Sequence, residues 1–151
     1  MKIFNRKFRR EYQEIEKIEA GIVLTGAEVK SVRASRMRLE DAFVKILGSE
    51  AYLVNAEIQI YEYARPADYD SRRTRKLLLH KNELVRLKTK IASSAGLTMI
   101  PISCYNKGGL MKLEIALAKP RKERGKKKFE KLREIKRQEE REAKEYLKNK
   151  S

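Results

Sequence analysis

Alternating apolar and polar residues in two segments of the chain predict half-buried β-strands. Apolar side chains occupy every second position at Ile18, Ala20, Ile22 and Leu24, and again at Met111, Leu113, Ile115 and Leu117. Successive side chains of an extended chain point to opposite faces, so each segment turns one apolar face to a core and one polar face to water. Both segments are therefore predicted to be strands.

Turns that contain glycine separate two further pairs of apolar runs. Gly48-Ser49-Glu50 lies between residues 42–47 and 51–60, and Gly108-Gly109 lies between residues 97–105 and 111–118. Turn residues between two such runs predict hairpins. Together these patterns predict a mainly β fold, an OB-fold-like antiparallel β-barrel of about six strands with two or three short helices, and a β-sandwich is the alternative.

Two short helices are expected to interrupt the strands. Thr25 lies three residues before Glu28, which is the spacing of a capping box and predicts a helix over roughly Gly26–Ser35. Asn82 is expected to cap the second helix, and Gly96 follows its end. The second helix has an inward apolar face at helical spacing, formed by Leu84, Leu87 and Ile91.

The apolar pattern stops at Ala118, and a strongly charged segment follows. Lys119–Ser151 contains 15 basic and 7 acidic residues, so this short segment has a net charge of +8. We predict a barrel with a basic N-terminal arm over residues 1–118 and a basic tail over residues 119–151. The thin apolar stripe of the tail cannot hold an isolated helix together. We expect a tail that is disordered or partly helical and orders on an anionic surface, or alternatively docks on its own barrel or a second copy.

The overall charge favours a polyanionic partner. Lys and Arg number 37 against 21 acidic residues, which gives a net charge of +16 and a pI near 10.0. Clustered cations gain affinity for nucleic acid through counterion release. No apolar run approaches the roughly 20 residues that cross a bilayer, and no signal-peptide core follows Met1. We therefore expect no membrane partner and a cytoplasmic location.

Residues that carry enzymatic or metal chemistry are scarce. His80 and Cys104 are the only residues of their types, and no metalloprotease, nucleophile-elbow or phosphate-loop motif occurs. Cys104 lies in an apolar run and is predicted to be a buried thiol, while Glu40 and Asp41 are interpreted as solvated charges. We predict no enzymatic activity, no catalytic residue, no metal and no cofactor.

Two basic stretches with aromatic residues are candidates for contact with a polyanion, and their composition does not say which one. Cations are dense over Arg65–Lys90, and Tyr61, Tyr63 and Tyr69 accompany them. Arginine grips phosphate and tyrosine stacks on unpaired bases, although a solvated loop with packed tyrosines gives the same pattern. The N-terminal stretch Lys2–Arg10 surrounds two phenylalanines with cations and is compatible with an RNA-contacting or a disordered arm.

Three motifs in this order resemble the family of SsrA-binding proteins, also called small protein B. They are Glu19–Leu24, Gly26–Arg33 and Arg75–His80, and Gly125-Lys126-Lys127 is similar to the basic tail signature of that family. The resemblance implies an OB-like barrel that binds the tRNA-like domain of tmRNA (SsrA RNA) and delivers it to stalled ribosomes, where translation resumes on the reading frame of tmRNA. It also implies a tail that enters the decoding region and the vacant mRNA channel.

The resemblance assigns RNA contacts to Glu19, Leu78 and His80. Four adjoining cations that can meet phosphate are added to them: Lys30, Arg33, Arg75 and Lys76. A carboxylate accepts from base amino groups or a ribose hydroxyl, and a structural ion pair is the alternative for Glu19. His80 is expected to stack or to hydrogen-bond, with packing in its loop as the alternative.

The tail residues implied to contact the ribosome lie in one segment: Gly125, Lys126, Lys127, Glu130, Lys131 and Arg133. The family pattern follows Gly-Lys-Lys closely with Asp-Lys-Arg. Glu130 and Lys131 keep the acid and the base of that pattern, whereas Leu132 stands in place of the arginine.

The alternative function is a structural ribosomal protein or a general RNA-binding protein, which would occur on all ribosomes and show little preference for a tRNA-like ligand. An RNA-processing enzyme would have to turn RNA over, and the sequence offers no catalytic cluster for that reaction. We expect the protein to be a monomer.

Overall fold

The computed structural model describes residues 1–60 and 66–150, and at residues 123–125 and 149–150 it describes the backbone alone. The strands of this part are β1 (Lys2–Phe4), β2 (Tyr12–Ile22), β3 (Met37–Arg38), β4 (Phe43–Leu47), β5 (Glu50–Val54), β6 (Glu57–Ile58), β7 (Arg75–Leu78), β8 (Thr98–Lys107) and β9 (Leu110–Pro120). The helices are α1 (Phe8–Glu11), α2 (Gly26–Arg33), α3 (Lys81–Ser93) and α4 (Glu123–Lys150). The mainly β prediction is confirmed.

Six antiparallel strands form a closed ring in the order β8, β4, β5, β7, β2 and β9, and β9 pairs back with β8. Strand β1 pairs with β8 at Ser103–Tyr105, further along β8 than Met99, where β4 pairs, and β3 pairs with β6 in a separate small sheet. The chain divides into two compact units, Met1–Pro120 and a second unit that starts at Arg121. The ring, its helices α1 to α3 and the small sheet belong to the first unit.

Both predicted hairpins are confirmed. Strands β4 and β5 pair on either side of Gly48, and β8 and β9 pair on either side of Gly108 and Gly109. Both of the latter glycines have positive φ, 60° and 79°, as a two-residue turn that follows the twist of the strands requires. Only the first part of the run 51–60 belongs to the first hairpin, because Asn55 adopts a φ of 65° and the chain leaves β5 there to form β6.

The interior of the ring is filled by the alternating residues. Ile18, Ala20 and Ile22 of β2 are buried, as are all four of the predicted apolar positions of β9. Cys104 is fully buried beside them, and this burial raises the pKa of its thiol to about 12, so the prediction of a core thiol is confirmed.

A second apolar cluster covers the outside of the β8–β9 pair. Phe8 of α1 packs there against apolar side chains of both strands: Ile100, Ile102, Ala116 and Ala118. Asn5 attaches the N-terminal segment to β8, since its Nδ2 donates to the carbonyl of Pro101 at 3.0 Å. The disordered alternative for the N-terminal arm is therefore wrong, because the arm is both paired as β1 and packed through Phe8.

The two internal helices follow their predicted signals with one correction. Thr25 Oγ1 accepts from the amide of Glu28 at 3.2 Å and Glu28 Oε1 accepts from the amide of Thr25 at 3.0 Å, so the capping box of α2 is confirmed. Asn82 does not cap α3. The helix begins one residue before Asn82, and the amide of His80 donates to Glu83 Oε1 at 3.2 Å, which makes His80 the capping position. Leu84 and Leu87 are buried as predicted.

The second unit consists of α4 and the residues just before it. Of the α4 side chains that are described, Lys126 and Phe129 are half-buried and the others are exposed. The guanidinium groups of Arg121 and Arg133 lie 5.2 and 5.9 Å from the centre of the Phe129 ring, where the quadrupole of the ring attracts a cation. None of the described helices is long and apolar enough to span a bilayer.

Candidate RNA-binding surface

A depression of about 510 Å³ lined by the end of β2, by β7, by the start of α3 and by the start of β9 brings three of the predicted contact residues together. Lys76, Leu78 and His80 line it, because β7 points its alternate residues outward and continues directly into the start of α3. Leu78 is 56% exposed, and Leu110, which also lines the depression, is 63% exposed, although leucine is usually buried. We call this feature the Leu78 depression.

Gly21 of β2 leaves room for Leu78 beside it. The two residues are directly opposed in the β2–β7 pair. A Cβ atom at position 21 would lie 3.4 Å from the Cβ of Leu78, which is ordinary van der Waals contact, so an alanine would fit beside the leucine. Gly21 itself presents only backbone to this side of the Leu78 depression.

Glu19 lies next to the Leu78 depression on the same outer face of β2, two residues before Gly21. Its carboxylate accepts from the hydroxyl of Tyr105 and lies 3.4 Å from Nζ of Lys107. The hydrogen bond from Tyr105 lowers the pKa of Glu19, and the Lys107 ammonium lowers it further. The structural ion pair proposed as the alternative is therefore present, yet the Glu19 side chain remains 36% exposed and can still accept from RNA.

Lys76 faces solvent at the rim of the Leu78 depression. Its Nζ lies 3.0 Å from Oε1 of Glu50, and the hydrogen bond to that carboxylate raises the pKa of the ammonium. The Lys76 side chain is 47% exposed. An exposed ion pair of this kind is worth little, so phosphate can replace Glu50 as the partner of Lys76 at small cost.

Arg75 does not belong to this surface, and the prediction that it meets phosphate is wrong. Its side chain is fully buried, because β7 alternates and Arg75 points to the interior. The guanidinium donates to Glu28 Oε2 at 2.9 Å and to the carbonyl of Ala56 at 2.8 Å. All of its donors face the protein, where they join the loop before β7 to α2.

Glu28 lies at the centre of the buried hydrogen bonds that Arg75 makes. Arg73 donates to both of its oxygens, and the hydroxyl of Tyr69 donates to Oε2 at 3.2 Å. Burial alone would raise the pKa of Glu28, but the hydrogen bonds from Arg73, from the Thr25 amide and from Arg75 lower it to about 2. We call Glu28, Tyr69, Arg73 and Arg75 the Glu28 network.

Lys30 and Arg33 lie apart from the other predicted contacts. Both are exposed on α2, the helix that follows β2. Neither lines the described walls of the Leu78 depression. They are three residues apart on one helical face, so they form a separate basic pair that remains a prediction as an RNA contact.

The basic stretch 65–90 is used largely for internal contacts. Tyr61, Tyr63 and Arg65 lie outside the described residues. Further along the stretch, Arg86 and Lys90 both bond Glu16 of β2 and so attach α3 to the ring. Tyr69 is half-buried within the Glu28 network, so it is not a free stacking face.

The predicted ribosome contacts of the tail lie near the start of α4. Lys127, Glu130, Lys131 and Arg133 are exposed there, Lys126 is half-buried, and Gly125 lies where the backbone alone is described. Their role stays a prediction.

Four residues of the surface were not identified from the sequence: Tyr105, Lys107, Leu110 and Lys112. They lie around the β8–β9 turn, and the register of β9 on β2 brings Lys112 opposite Gly21. The sequence predicts the Gly108-Gly109 turn, but no local pattern predicts which residues of β2 and β9 are opposed. Among the described residues no cluster of His, Cys, Asp and Glu is arranged to hold a metal.

Comparison with known proteins gives one consistent result. The family model of SmpB protein matches residues 2–145 of the chain. An SsrA-binding protein of Streptococcus pyogenes serotype M3 is 44% identical over 146 residues, which are 96% of this chain and 90% of that protein. An SsrA-binding protein of Enterococcus hirae is 44% identical over 133 residues, 88% of this chain and 82% of that one. A solved structure described as "tmRNA-SmpB: a journey to the center of the bacterial ribosome" is 42% identical, with a TM-score of 0.66, and covers 81% of this chain and 85% of its own.

Proposed function

The chain belongs to the SmpB family of SsrA-binding proteins, and from that premise we propose that it binds the tRNA-like domain of tmRNA and delivers it to stalled ribosomes for rescue and tagging of incomplete proteins. The observation that carries the proposal is the Leu78 depression, which gathers Lys76, Leu78 and His80 beside Glu19 on one outer face.

The chemistry of this face suits the unpaired parts of a folded RNA. Leu78 and Leu110 offer apolar contact to the faces of splayed bases, and His80 offers a ring that can stack or donate. Glu19 supplies an acceptor that repels phosphate and favours base amino groups or ribose hydroxyls. Lys76 and Lys112 supply the phosphate contacts, which set affinity and position but not sequence.

The two units have different roles in this proposal. The ring, which we propose is an OB-like barrel, recognises the RNA. The tail contacts the decoding region and the mRNA channel of the ribosome through Lys126, Lys127, Lys131 and Arg133. These cations lie on α4 and pair with the phosphates of the RNA that surrounds the channel. The protein acts as a monomeric adaptor without catalytic activity, in the cytoplasm where ribosomes work.

Equilibrium titration of a labelled tRNA-like domain of tmRNA tests the proposal. We expect much tighter binding to this RNA than to an elongator tRNA, with log K falling steeply and linearly against log salt. Leu78→Ala should weaken binding about tenfold or more, whereas Ile15→Ala should not. Ile15 is a matched control because it is 50% exposed and lies on β2 before Glu19, outside the described lining of the Leu78 depression.

Equal affinity for both RNAs would contradict recognition of a tRNA-like fold and favour a general RNA-binding protein. A structural ribosomal protein is distinguished by sedimentation of cell extracts, in which it would be stoichiometric on all ribosomes. The adaptor should be substoichiometric and should increase on ribosomes stalled at the end of a truncated message.

A further inference from the structure

The outer face of the ring continues from Glu19 across β9 and β8 to the N-terminal strand. One row of directly opposed residues crosses these strands: Glu19, Glu114, Ser103 and Phe4. Contacts link the ends of the row as well. Tyr105 donates to Glu19, and Nζ of Lys2 lies 5.4 Å from the Tyr105 ring centre and 5.3 Å from the Phe4 ring centre.

A small depression of about 310 Å³ lies at the Phe4 end of this row. Its walls include Phe4, Lys17, Ser103 and Glu114, and we call it the Phe4 depression. Phe4 is 54% exposed, whereas Phe8 of α1 is almost completely buried against β8 and β9. The volume lies at the small end of the range for ligand pockets, which is on the order of 300–1,000 Å³.

Polar groups in the Phe4 depression can form hydrogen bonds with the edge of a planar ligand. Ser103 Oγ is buried and has no hydrogen-bond partner among the described residues, a situation that proteins rarely leave uncompensated. Glu114 is 25% exposed, and its carboxylate lies 3.8 Å from Nζ of Lys17, a long contact that leaves acceptor capacity. An aromatic face, a hydroxyl, a carboxylate and flanking ammonium groups therefore meet in one place.

Resting on the proposed function, we propose that an unpaired nucleotide of the bound RNA stacks its base on Phe4 in this depression. The exocyclic amino group of the base donates to Glu114, Ser103 completes the hydrogen bonding, and Lys2 or Lys17 meets the phosphate. This combination of aromatic face, edge acceptors and cations is how proteins hold single-stranded bases. The contact extends RNA recognition from the Leu78 depression around the ring to β1.

Titration of the labelled tRNA-like domain with four variants of the full chain tests the inference. Phe4→Leu removes the ring and should weaken binding about tenfold, within the range expected for loss of one stacked base. Phe4→Tyr keeps the ring and should bind like the wild type. Phe43→Leu is the matched control, because Phe43 is also exposed, at 39%, but lies on β4. Lys2→Met should weaken binding and reduce the slope of log K against log salt by about one.

The outcomes separate this inference from the proposed function. If Leu78→Ala weakens binding while Phe4→Leu and Lys2→Met bind like the wild type, the Phe4 site is refuted and the proposed function stands. If the wild type does not bind the RNA, both fail. Thermal unfolding of each variant shows whether the fold is intact. Should Phe4→Leu be unstable, Lys2→Met decides the result, because Lys2 is exposed.

Discussion

Replacing Glu28 by glutamine should destabilise the protein strongly and remove much of its sensitivity to acid. The pKa of Glu28 is about 2 in the folded protein, against an ordinary value of 4.5. Because folding lowers the pKa of Glu28, the ionised carboxylate stabilises the folded protein fully at pH values above about 4.5. This stabilisation is lost as the pH falls from about 4.5 towards 2. A difference of this size corresponds to about 3 kcal/mol.

Loss of the ion pair between Glu28 and Arg75 should destabilise the folded protein by a similar amount. Arg75 is fully buried, and in Glu28→Gln its charge remains in the interior without a carboxylate partner. Breaking one side of a buried ion pair costs roughly 3–5 kcal/mol. We therefore expect the free energy of unfolding at pH 7 to fall by about 3 kcal/mol, with the deficit shrinking as the pH approaches 2.

Urea unfolding followed by far-ultraviolet circular dichroism, at several pH values between 7 and 2.5, measures both effects. Asp41→Asn is the control, because Asp41 is 58% exposed and its ion pair with Lys7 spans 3.6 Å. That exposed pair should contribute less than about 1 kcal/mol. If Glu28→Gln unfolds within about 0.5 kcal/mol of the wild type at pH 7, or keeps the same acid dependence, the role assigned to the Glu28 network is wrong.

Three further results are expected. Leu110→Ala should weaken binding of the tRNA-like domain in the same titration, because Leu110 shares a wall of the Leu78 depression, and an unchanged Kd would remove it from the surface. A chain that ends at Pro120 should still prefer the tRNA-like domain over an elongator tRNA but should no longer support tagging in a reconstituted translation assay, and full tagging would refute the role of the tail. Cys104 should resist alkylation at pH 8 and react promptly in guanidinium, since burial raises its pKa to about 12, and fast labelling of the folded protein would contradict its placement in the core.

Local patterns in the sequence predicted the parts of the fold that depend on interactions between residues close in the chain. Alternation identified β2 and β9, glycine placed the two hairpin turns, and the Thr25–Glu28 spacing identified the start of α2. These features depend on residues within a few positions of one another. The start of α3 was misassigned because Asn82 is a stronger capping residue by type, whereas Glu83 bonds the amide of His80 instead.

Long-range contacts account for what the sequence did not predict. Arg75 looks like any other arginine in a basic stretch, and its burial depends on Glu28, which lies 47 residues earlier in the chain. Glu19 was identified through its motif, but its partner Tyr105 lies 86 residues later. Such pairs are set by strand register and by the closure of the ring, which no local pattern encodes.

Isolation of the RNA that the protein binds in cells tests the central claim most directly. The full chain is captured from a bacterial extract at moderate salt, the bound RNA is sequenced, and the Leu78→Ala variant is treated in parallel. We predict that tmRNA is the most enriched RNA with the wild type and that this enrichment falls with Leu78→Ala. Enrichment of ribosomal RNA and tRNA without tmRNA would contradict the claim that this ring selects the tRNA-like domain.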